Sequence, residues 1–563
     1  MPAEKNRSKV EIIKENSNQL RGTISEQLSN DSDNFDSEGY ELLKFYGIYQ
    51  QDNRDERQSR KKEGKGKKYI FMIRTKNPGG GELTSDQWIV HDYISDKYGN
   101  GNFRITTRQD IQFHGIGKNN LKETIKYLNK YLIPTYGACG DLNRNTVADP
   151  ISDIRKDSKF NSQKLARLIS EKFNPKSNAY YDIWLDGEPF ENIKRNKDET
   201  EYIYGNTYLP RKFKIGIAQE IDNSVDVHTN DIGIIAVIKE RIKGFNILVG
   251  GGLGSHHRQP ATYPRLATPL AFVTEDKLLD TLTRIVEFQR DNGDRSERKH
   301  ARLKYIVEEW GIDKVKRNIE KRLGYKLTPP FENINLKQPA DHYGWHEQDT
   351  PGLWYLGLFI ENGRIQDTGN SKLKTGLREI IKQYKPDVRL SPLQDLILIN
   401  IKEENIKNIN SMLEQYGIKT HDGYSRLRLN SMSCPALPTC GLALAESERY
   451  MPSLLEKLEK MGYGNEDIKI RMSGCPNACS RPTTSEIGIM GASPGKYNVY
   501  LGGDYEGTRL NTLYDELVED KELPSLIGEI IDIYRKNKIK EERLGDFCSR
   551  IGNDKIRSII KKQ

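Results

Sequence analysis

The feature that most restricts how this chain can fold is an internal repeat. Phe103-Arg-Ile-Thr-Thr-Arg-Gln-Asp-Ile-Gln-Phe-His-Gly-Ile116 aligns with Val388-Arg-Leu-Ser-Pro-Leu-Gln-Asp-Leu-Ile-Leu-Ile-Asn-Ile401. Arg104 meets Arg389, Gln109-Asp110 meets Gln394-Asp395, and apolar positions match elsewhere. Upstream, the strand-like run Tyr69–Arg74 corresponds to residues 354–360, each followed by a Gly-containing turn and a helix. A second echo pairs Gly244-Phe-Asn-Ile-Leu-Val-Gly-Gly251 with Lys496-Tyr-Asn-Val-Tyr-Leu-Gly-Gly503. Such self-similarity implies one unit used twice. Each copy reads as a small α+β module followed by a larger α/β domain.

The copies differ where difference is informative. Arg108, Gln112 and His114 in the first become Leu393, Ile397 and Ile399 in the second. Alternate residues of a strand share a face. The first copy thus presents a polar, cationic face, and the second an apolar face to bury. One ligand site shared by two halves explains the divergence; the alternative is that the first copy's polar residues face water.

Four of the six cysteines stand in the pattern C-x5-C-x34-C-x3-C, at Cys434, Cys440, Cys475 and Cys479. Four thiolates suit a cubane iron–sulfur cluster or a zinc ion. The first spacing is loose for zinc and the last is compatible with it. Unliganded core cysteines are the third possibility. Cys139 and Cys548 lie outside the pattern and read as ordinary buried thiols. His228 and His256-His257 have no carboxylates at metal spacing and read as core or surface residues.

Cations recur at strand-like or turn-like places: Arg74, Arg104, Arg108, Arg144 and Arg211-Lys-Phe-Lys214. Lys212 and Lys214 alternate around Phe213, so both ammonium groups point one way on a strand. Like charges on one face are unfavourable unless an anion sits there. The glycine runs at 250–254 and 502–503 fit neither a dinucleotide fingerprint nor a P-loop, and read as tight turns. With no flavin or nicotinamide motif, a redox role requires electrons from another protein.

The 563 residues carry 88 basic and 80 acidic side chains, a net charge of +8, too diffuse to argue for nucleic acid. The polar opening and the absence of an apolar run of about 20 residues predict no signal peptide and no membrane span. Six cysteines in so long a chain make no disulfide framework, which points to the cytoplasm. Residues 1–35 read as a mobile arm with helix near 11–28, and the charge run 50–68 as a solvated loop. A helix is expected over 83–98 and a strand pair over 102–116. The expected division is an arm with a basic loop (1–68), a first small module (69–130), a first α/β domain (131–335), a second small module (336–405) and a second α/β domain (406–563).

Several segments carry a specific resemblance. They are Leu20-Arg-Gly-Thr-Ile24, Phe45-Tyr-Gly-Ile-Tyr-Gln-Gln-Asp-Asn-Arg-Asp55, Thr207-Tyr-Leu-Pro-Arg-Lys-Phe-Lys214, Pro438-Thr-Cys-Gly-Leu-Ala-Leu-Ala-Glu446, Gly474-Cys-Pro-Asn-Ala-Cys479 and Gly545-Asp-Phe547. Through these the chain resembles the sulfite/nitrite reductase haemoprotein family over nearly its whole length. The resemblance implies an α+β fold of two ferredoxin-like modules and two α/β domains around one shared site. It implies one sirohaem and one [4Fe–4S] cluster, with Cys434, Cys440, Cys475 and Cys479 as iron ligands and Cys479 shared between the two centres. Arg104, Thr106, Arg108, Gln112, His114, Arg211 and Asn477 would cradle the sirohaem. Arg74, Arg144, Lys212 and Lys214 would surround the substrate anion.

The implied activity is assimilatory: six-electron reduction of sulfite to sulfide, in the service of cysteine biosynthesis. The donor would be an NADPH-oxidising flavoprotein, or a ferredoxin. Family nitrite reductases tend to carry Asn where Lys214 stands, which favours sulfite over the alternative of nitrite reduction to ammonia. Gly441 and the Lys-rich loop before Tyr69 depart from close relatives and are expected not to touch the ligands. A zinc-structured RNA-binding protein remains the reading from a different class. It predicts aromatics interleaved with the basic patches, which this chain lacks.

Overall fold

Nineteen strands build four sheets in the computed structural model, which describes residues 7–187, 198–256, 259–338 and 342–560. The first small module contributes β1 (Ile48–Asp52), β2 (Tyr69–Arg74), β3 (Glu82–Leu83), β4 (Phe103–Ile105) and β5 (Ile111–Ile116). The first large domain contributes β6 (Ile215–Ala218), β7 (Ile232–Ile238), β8 (Ile242–Val249) and β9 (Thr268–Val273). The second copy repeats the order with β10 (Gly344–Glu347), β11 (Leu353–Leu358), β12 (Arg364–Ile365), β13 (Asp387–Leu390) and β14 (Leu396–Lys402). Its large domain holds β15 (Met432–Ser433), β16 (Ile470–Ser473), β17 (Ile487–Ser493), β18 (Lys496–Leu501) and β19 (Thr512–Glu519).

The small modules are locked together by exchange. Their sheets run β1-β2-β5-β4-β12 and β10-β11-β14-β13-β3, so each is completed by a two-residue strand from the other copy. Arg364 lies opposite Arg104, and Glu82 opposite Arg389. Separating the modules would strip backbone partners from both sheets. The helices Ser85–Lys97 and Leu373–Tyr384 also meet, Arg378 pairing with Asp96 at 2.7 Å and Lys374 with Asp92 at 3.4 Å. The first helix starts where Thr84 and Gln87 cap each other's backbone N–H groups.

The large domains repeat as well. β6 and β7 are parallel and β7-β8-β9 antiparallel, and β16, β17, β18 and β19 follow the same scheme behind the extra β15. β8 and β18 hold equivalent places, as the second sequence echo implies. β7, Ile-Gly-Ile-Ile-Ala-Val-Ile, is apolar throughout because both its faces are covered. One hydrophobic core extends from Ile13 to Ile418, and a second from Leu427 to Ile556. The expected α+β class and its duplication are observed.

Two expectations fail. The described part of the N-terminal arm is packed. Helices Lys9–Asn16 and Ile24–Leu28 and the turn between them bury Ile13, Ile24 and Leu20. Lys14 is also buried, 3.5 Å from Asp141, which Arg298 meets at 2.6 Å. Burial opposes charge on Asp141, yet Arg298 and Lys14 hold its carboxyl below the ordinary range. A buried carboxylate needs such cations, and the arm supplies one. The charge run 50–68 likewise begins inside the first sheet, where Gln50 lies opposite Phe71 and Asp52 opposite Tyr69. Residues 53–68 form the tip of this hairpin, with a short helix at Arg57–Lys62.

Candidate metal centre and anion cleft

The parallel pairing of β15 and β16 brings the two cysteine loops together. Ser433 lies opposite Met472, and the Cys434 N–H bonds to the Met472 carbonyl at 3.2 Å. Cys434 leaves β15, and Cys475 follows Gly474 at the end of β16. The Gly474 N–H donates to Cys434 Sγ at 3.3 Å, and Asn477 Nδ2 to Cys475 Sγ at 3.4 Å. A Cβ on Gly474 would lie 2.5 Å from that of Ala436 and 2.6 Å from the Ala445 carbonyl, so only glycine fits.

Burial pushes the Cys434 and Cys475 thiols up to about 12 and Cys440 to about 11, and the sulfurs raise one another further. They are near enough to interact, and neutral thiols are what such a pocket favours until a cationic metal centre draws off the protons. Among the described residues no three His, Cys, Asp or Glu side chains are arranged to hold a single metal ion. A polynuclear cluster spreads its thiolates around several irons instead. Cys434 and Cys475 are buried and Cys440 is half-buried, whereas Cys479 is exposed. It lies within electrostatic reach of the other three sulfurs, and also of Arg74, Arg104, Lys212 and Lys214.

That second set of neighbours lines a cleft. Arg74 ends β2. Arg144 sits on the segment 143–147, which bridges to Phe213 and Gly216 beside β6. Phe213 turns into the core, so Lys212 and Lys214 on either side of it turn out together, with Arg211 adjacent. Arg74, Arg211, Lys212 and Lys214 are surrounded by protein yet keep accessible surface, as on the floor of a cleft. Burial lowers Lys212 to about 7, helped by Arg211 and Arg302. It lowers Arg211 to about 10 and drives Lys214 well below its ordinary value, with Lys212 and Arg108 adding to the effect. Mutually repelling cations in a low-dielectric cleft are an anion site. Arg144 is held by the carbonyls of Gly140 at 3.0 Å and Ala138 at 3.2 Å.

The first copy's polar face adjoins this cleft. Arg108 Nη1 donates to Asn230 Oδ1 at 2.6 Å, and its Nη2 to the Asn145 and Ile215 carbonyls at 2.5 and 2.8 Å. Arg104 Nη2 donates to the Ser433 carbonyl at 2.8 Å, and its Nε lies 3.1 Å from Glu448. Much of the charge of these two arginines is therefore spent within the protein. Thr106 Oγ1 accepts from the N–H groups of Arg108 and Asp110, each at 3.2 Å. Gln112 packs on Arg74, its amide oxygen accepting from Arg74 Nε at 3.1 Å. His114 is buried with neither ring nitrogen partnered, as are both amide atoms of Asn143 and Asn145 Oδ1. Burial, with Arg364 and Arg104 nearby, holds His114 neutral. An unanswered buried polar atom costs about 1–3 kcal/mol, so this face is suited to a polar ligand.

Arg302, Asp231 and Tyr49 were given no role from sequence. Asp231 pairs with Arg302 at 2.8 and 2.9 Å and accepts the Lys214 N–H at 2.9 Å, which braces the lysine's backbone. The second copy has the same device, Glu486 accepting the Lys469 N–H at 2.9 Å, so the repeat contained a signal for it. Cys139 is buried as expected, but it lies beside Tyr49 and Arg74 at the cleft. Cys548 is an apolar-core thiol. His228 bonds the Ala267 carbonyl at 3.3 Å, His256 forms a bridge with Gln259, and His257 lies outside the described residues. Arg54, in the Phe45–Asp55 segment, reaches the loop of the second cysteine: its Nη1 donates to the backbone carbonyls of Cys440 at 3.2 Å and Ala443 at 2.5 Å.

A duplicated α+β scaffold that sets four cysteines against a cationic cleft defines a class of redox metalloprotein for small anions. The comparisons assign the family. The "Nitrite and sulphite reductase 4Fe-4S domain" matches residues 165–327 and 425–563, and the "Nitrite/Sulfite reductase ferredoxin-like half domain" matches 62–131 and 346–416. The chain belongs to the nitrite and sulphite reductase family. It is 44% identical over 552 residues to the sulfite reductase [NADPH] hemoprotein beta-component of Staphylococcus haemolyticus, covering 96% of this chain and 95% of that one. It is 43% identical to the same component of Geobacillus kaustophilus, covering 97% and 96%. The solved Mycobacterium tuberculosis NirA protein shares the fold, with a TM-score of 0.76, 23% identity and 97% coverage of both chains. Likeness to reductases over nearly the whole chain displaces the RNA-binding alternative.

Proposed function

We propose that this protein is the haemoprotein of an assimilatory sulfite reductase. It would take six electrons from a separate donor protein to convert sulfite to sulfide, at one sirohaem coupled to one [4Fe–4S] cluster. The observation that carries this is that Cys479, the one exposed thiol of the four, lies within electrostatic reach both of its three partners and of the cleft cations.

In this reading Cys434, Cys440, Cys475 and Cys479 would hold the irons, with Cys479 the residue shared by the two centres. Arg104, Thr106, Arg108, Gln112, His114, Arg211 and Asn477 face the sirohaem. Its carboxylates would give acceptors to buried donors such as the His114 ring N–H and the Asn143 amide N–H. When bound, the coupled centre supplies one-electron steps and an iron site for the substrate's sulfur.

The chain's own residues do the rest. Arg74, Arg144, Lys212 and Lys214 draw the anion into the cleft and polarise its S–O bonds. Lys212, lowered to about 7, holds a proton it can release near neutral pH as oxygen departs as water. Asp231 and Arg302 fix the strand end that presents Lys214. The division into 1–68, 69–130, 131–335, 336–405 and 406–563 and a cytoplasmic location complete the proposal. Among the described residues no helix is long and apolar enough to cross a membrane.

Nitrite reduction is the second reading, and Lys214 weighs against it. The test is an absorption spectrum, then turnover of sulfite and nitrite with an artificial reductant. Sirohaem bands and sulfite turnover are expected. A protein that stays colourless when sirohaem and iron–sulfur synthesis are supplied refutes the proposal.

A further inference from the structure

The four cysteines have two outward sides. Cys479 looks into the cation cleft. Of the other three only Cys440 is half-buried, and its loop continues into exposed Gly441 and Leu442, the latter 67% accessible. With the Cys479 side taken by the cation cleft, the Cys440 loop is the most accessible of the remaining approaches to the four sulfurs. A large apolar side chain in the open on such a loop suits a protein contact.

The hairpin tip 53–68 is fastened to that loop. Arg54 donates its N–H to the Pro438 carbonyl at 3.2 Å, besides its bonds to Cys440 and Ala443. Arg449 pairs with Asp55 at 2.7 Å and joins the same two segments. The tip carries eight basic and three acidic residues, a large share of the chain's net +8. Each acid is occupied: Asp55 by Arg449, Glu56 by Lys68 at 3.2 Å and Glu63 by Lys65 at 2.8 Å. Lys61, Lys62 and Lys67 are exposed and have no acidic partner among the described residues. A concentrated, uncompensated positive field beside an apolar contact point attracts and orients a protein of opposite charge.

We infer that the basic tip 53–68 and the loop around Leu442 form the docking surface for the acidic face of the flavoprotein that delivers electrons. The inference rests on the functional reading above and assigns the partner's place: electrons enter on the Cys440 side and leave through Cys479. One electron passes at each step from reduced flavin to the centre, with NADPH as the ultimate reductant.

The test uses the holoprotein and a K61E/K62E/K67E variant, whose changes are all at the surface. Binding is titrated against the purified NADPH-oxidising flavoprotein component of a bacterial sulfite reductase, at low and at 0.3 M salt. The variant is expected to bind about tenfold or more weakly at low salt and to lose most of the salt dependence. Flavoprotein-driven turnover should fall in parallel, while dithionite-driven turnover stays unchanged. Undiminished binding by the variant overturns the docking surface. A [2Fe–2S] ferredoxin whose binding alone responds to the charge reversal overturns the choice of partner. Wild-type protein without sirohaem bands or dithionite-driven turnover defeats the functional reading itself, and the docking assignment with it.

Discussion

Strands β5 and β14 occupy equivalent places in the two copies and do opposite things. On β14, Ile397 and Ile399 are buried with Ile151 and Tyr355 in a small apolar cluster. On β5, Gln112 and His114 are just as buried, but His114 has no partner for either ring nitrogen. Duplication supplied two chances to close this face with hydrocarbon, and only one was taken. Unanswered polar atoms grouped beside the cations mark a site more sharply than the cations alone, because surface charge is common. The strand ends do not differ in this way. Lys214 and Lys469 are each braced by an acid, and each adjoins a buried Arg–Asp pair, Arg302–Asp231 and Arg471–Asp226 respectively, so the repeat kept this device in both halves.

The comparison breaks most completely if the halves are not joined at Cys479. Cys479→Ser is expected to remove nearly all sulfite turnover and disturb both the haem and the iron–sulfur absorption. A normal haem spectrum in that variant would rule out a shared ligand. Next in size, Lys212→Met should lower kcat on sulfite by about 10²–10³, the cost of removing one preorganised charge partner. Lys214→Asn should lower sulfite turnover more than nitrite turnover; equal losses would remove the substrate argument.

Exchanging the two faces should give effects of opposite sign. Ile399→His places an unpartnered polar ring in an apolar cluster and should destabilise the cofactor-free protein by about 2–4 kcal/mol. His114→Ile in the same protein should be neutral or stabilising by up to about 1–3 kcal/mol, while sirohaem loading falls. Urea unfolding and the haem-to-protein absorbance ratio measure the two. Equal destabilisation by both would mean the faces are equivalent after all.

The smallest effect concerns pH. Lys212 releases its proton near 7 in the folded chain and near 10.4 in the unfolded one. Between those values the unfolded chain binds more protons, so cofactor-free stability should rise with pH across that window. Lys212→Met should flatten the rise in Tm between pH 7 and 10.

Much of this was legible in the chain. The repeat, the loss of polarity from Arg108, Gln112 and His114 to Leu393, Ile397 and Ile399, and the cysteine spacing are visible without coordinates. Other features were not. β3 and β12 are two residues each, too short for any periodicity, yet they close both small-module sheets. The helices at Lys9–Asn16 and Ile24–Leu28 read as a free arm because their polarity is high, and the buried partner of Lys14, Asp141, lies far along the chain. The charge of residues 50–68 hid a strand whose cross-strand partners had to be seen.

Residue chemistry determined by itself that this chain holds four thiolates, a set of cations and one polar copy of a duplicated face, because identity and period-two alternation are local properties. Only the tertiary structure decided which sulfur of the four is turned toward the cations. Cys479 comes from the second copy and Lys212 from the first. Their meeting depends on sheets that share strands and on the packing of distant segments, a long-range contact that sequence spacing does not encode. The same long-range packing fastened Arg54 of the first copy to the Cys440 loop of the second.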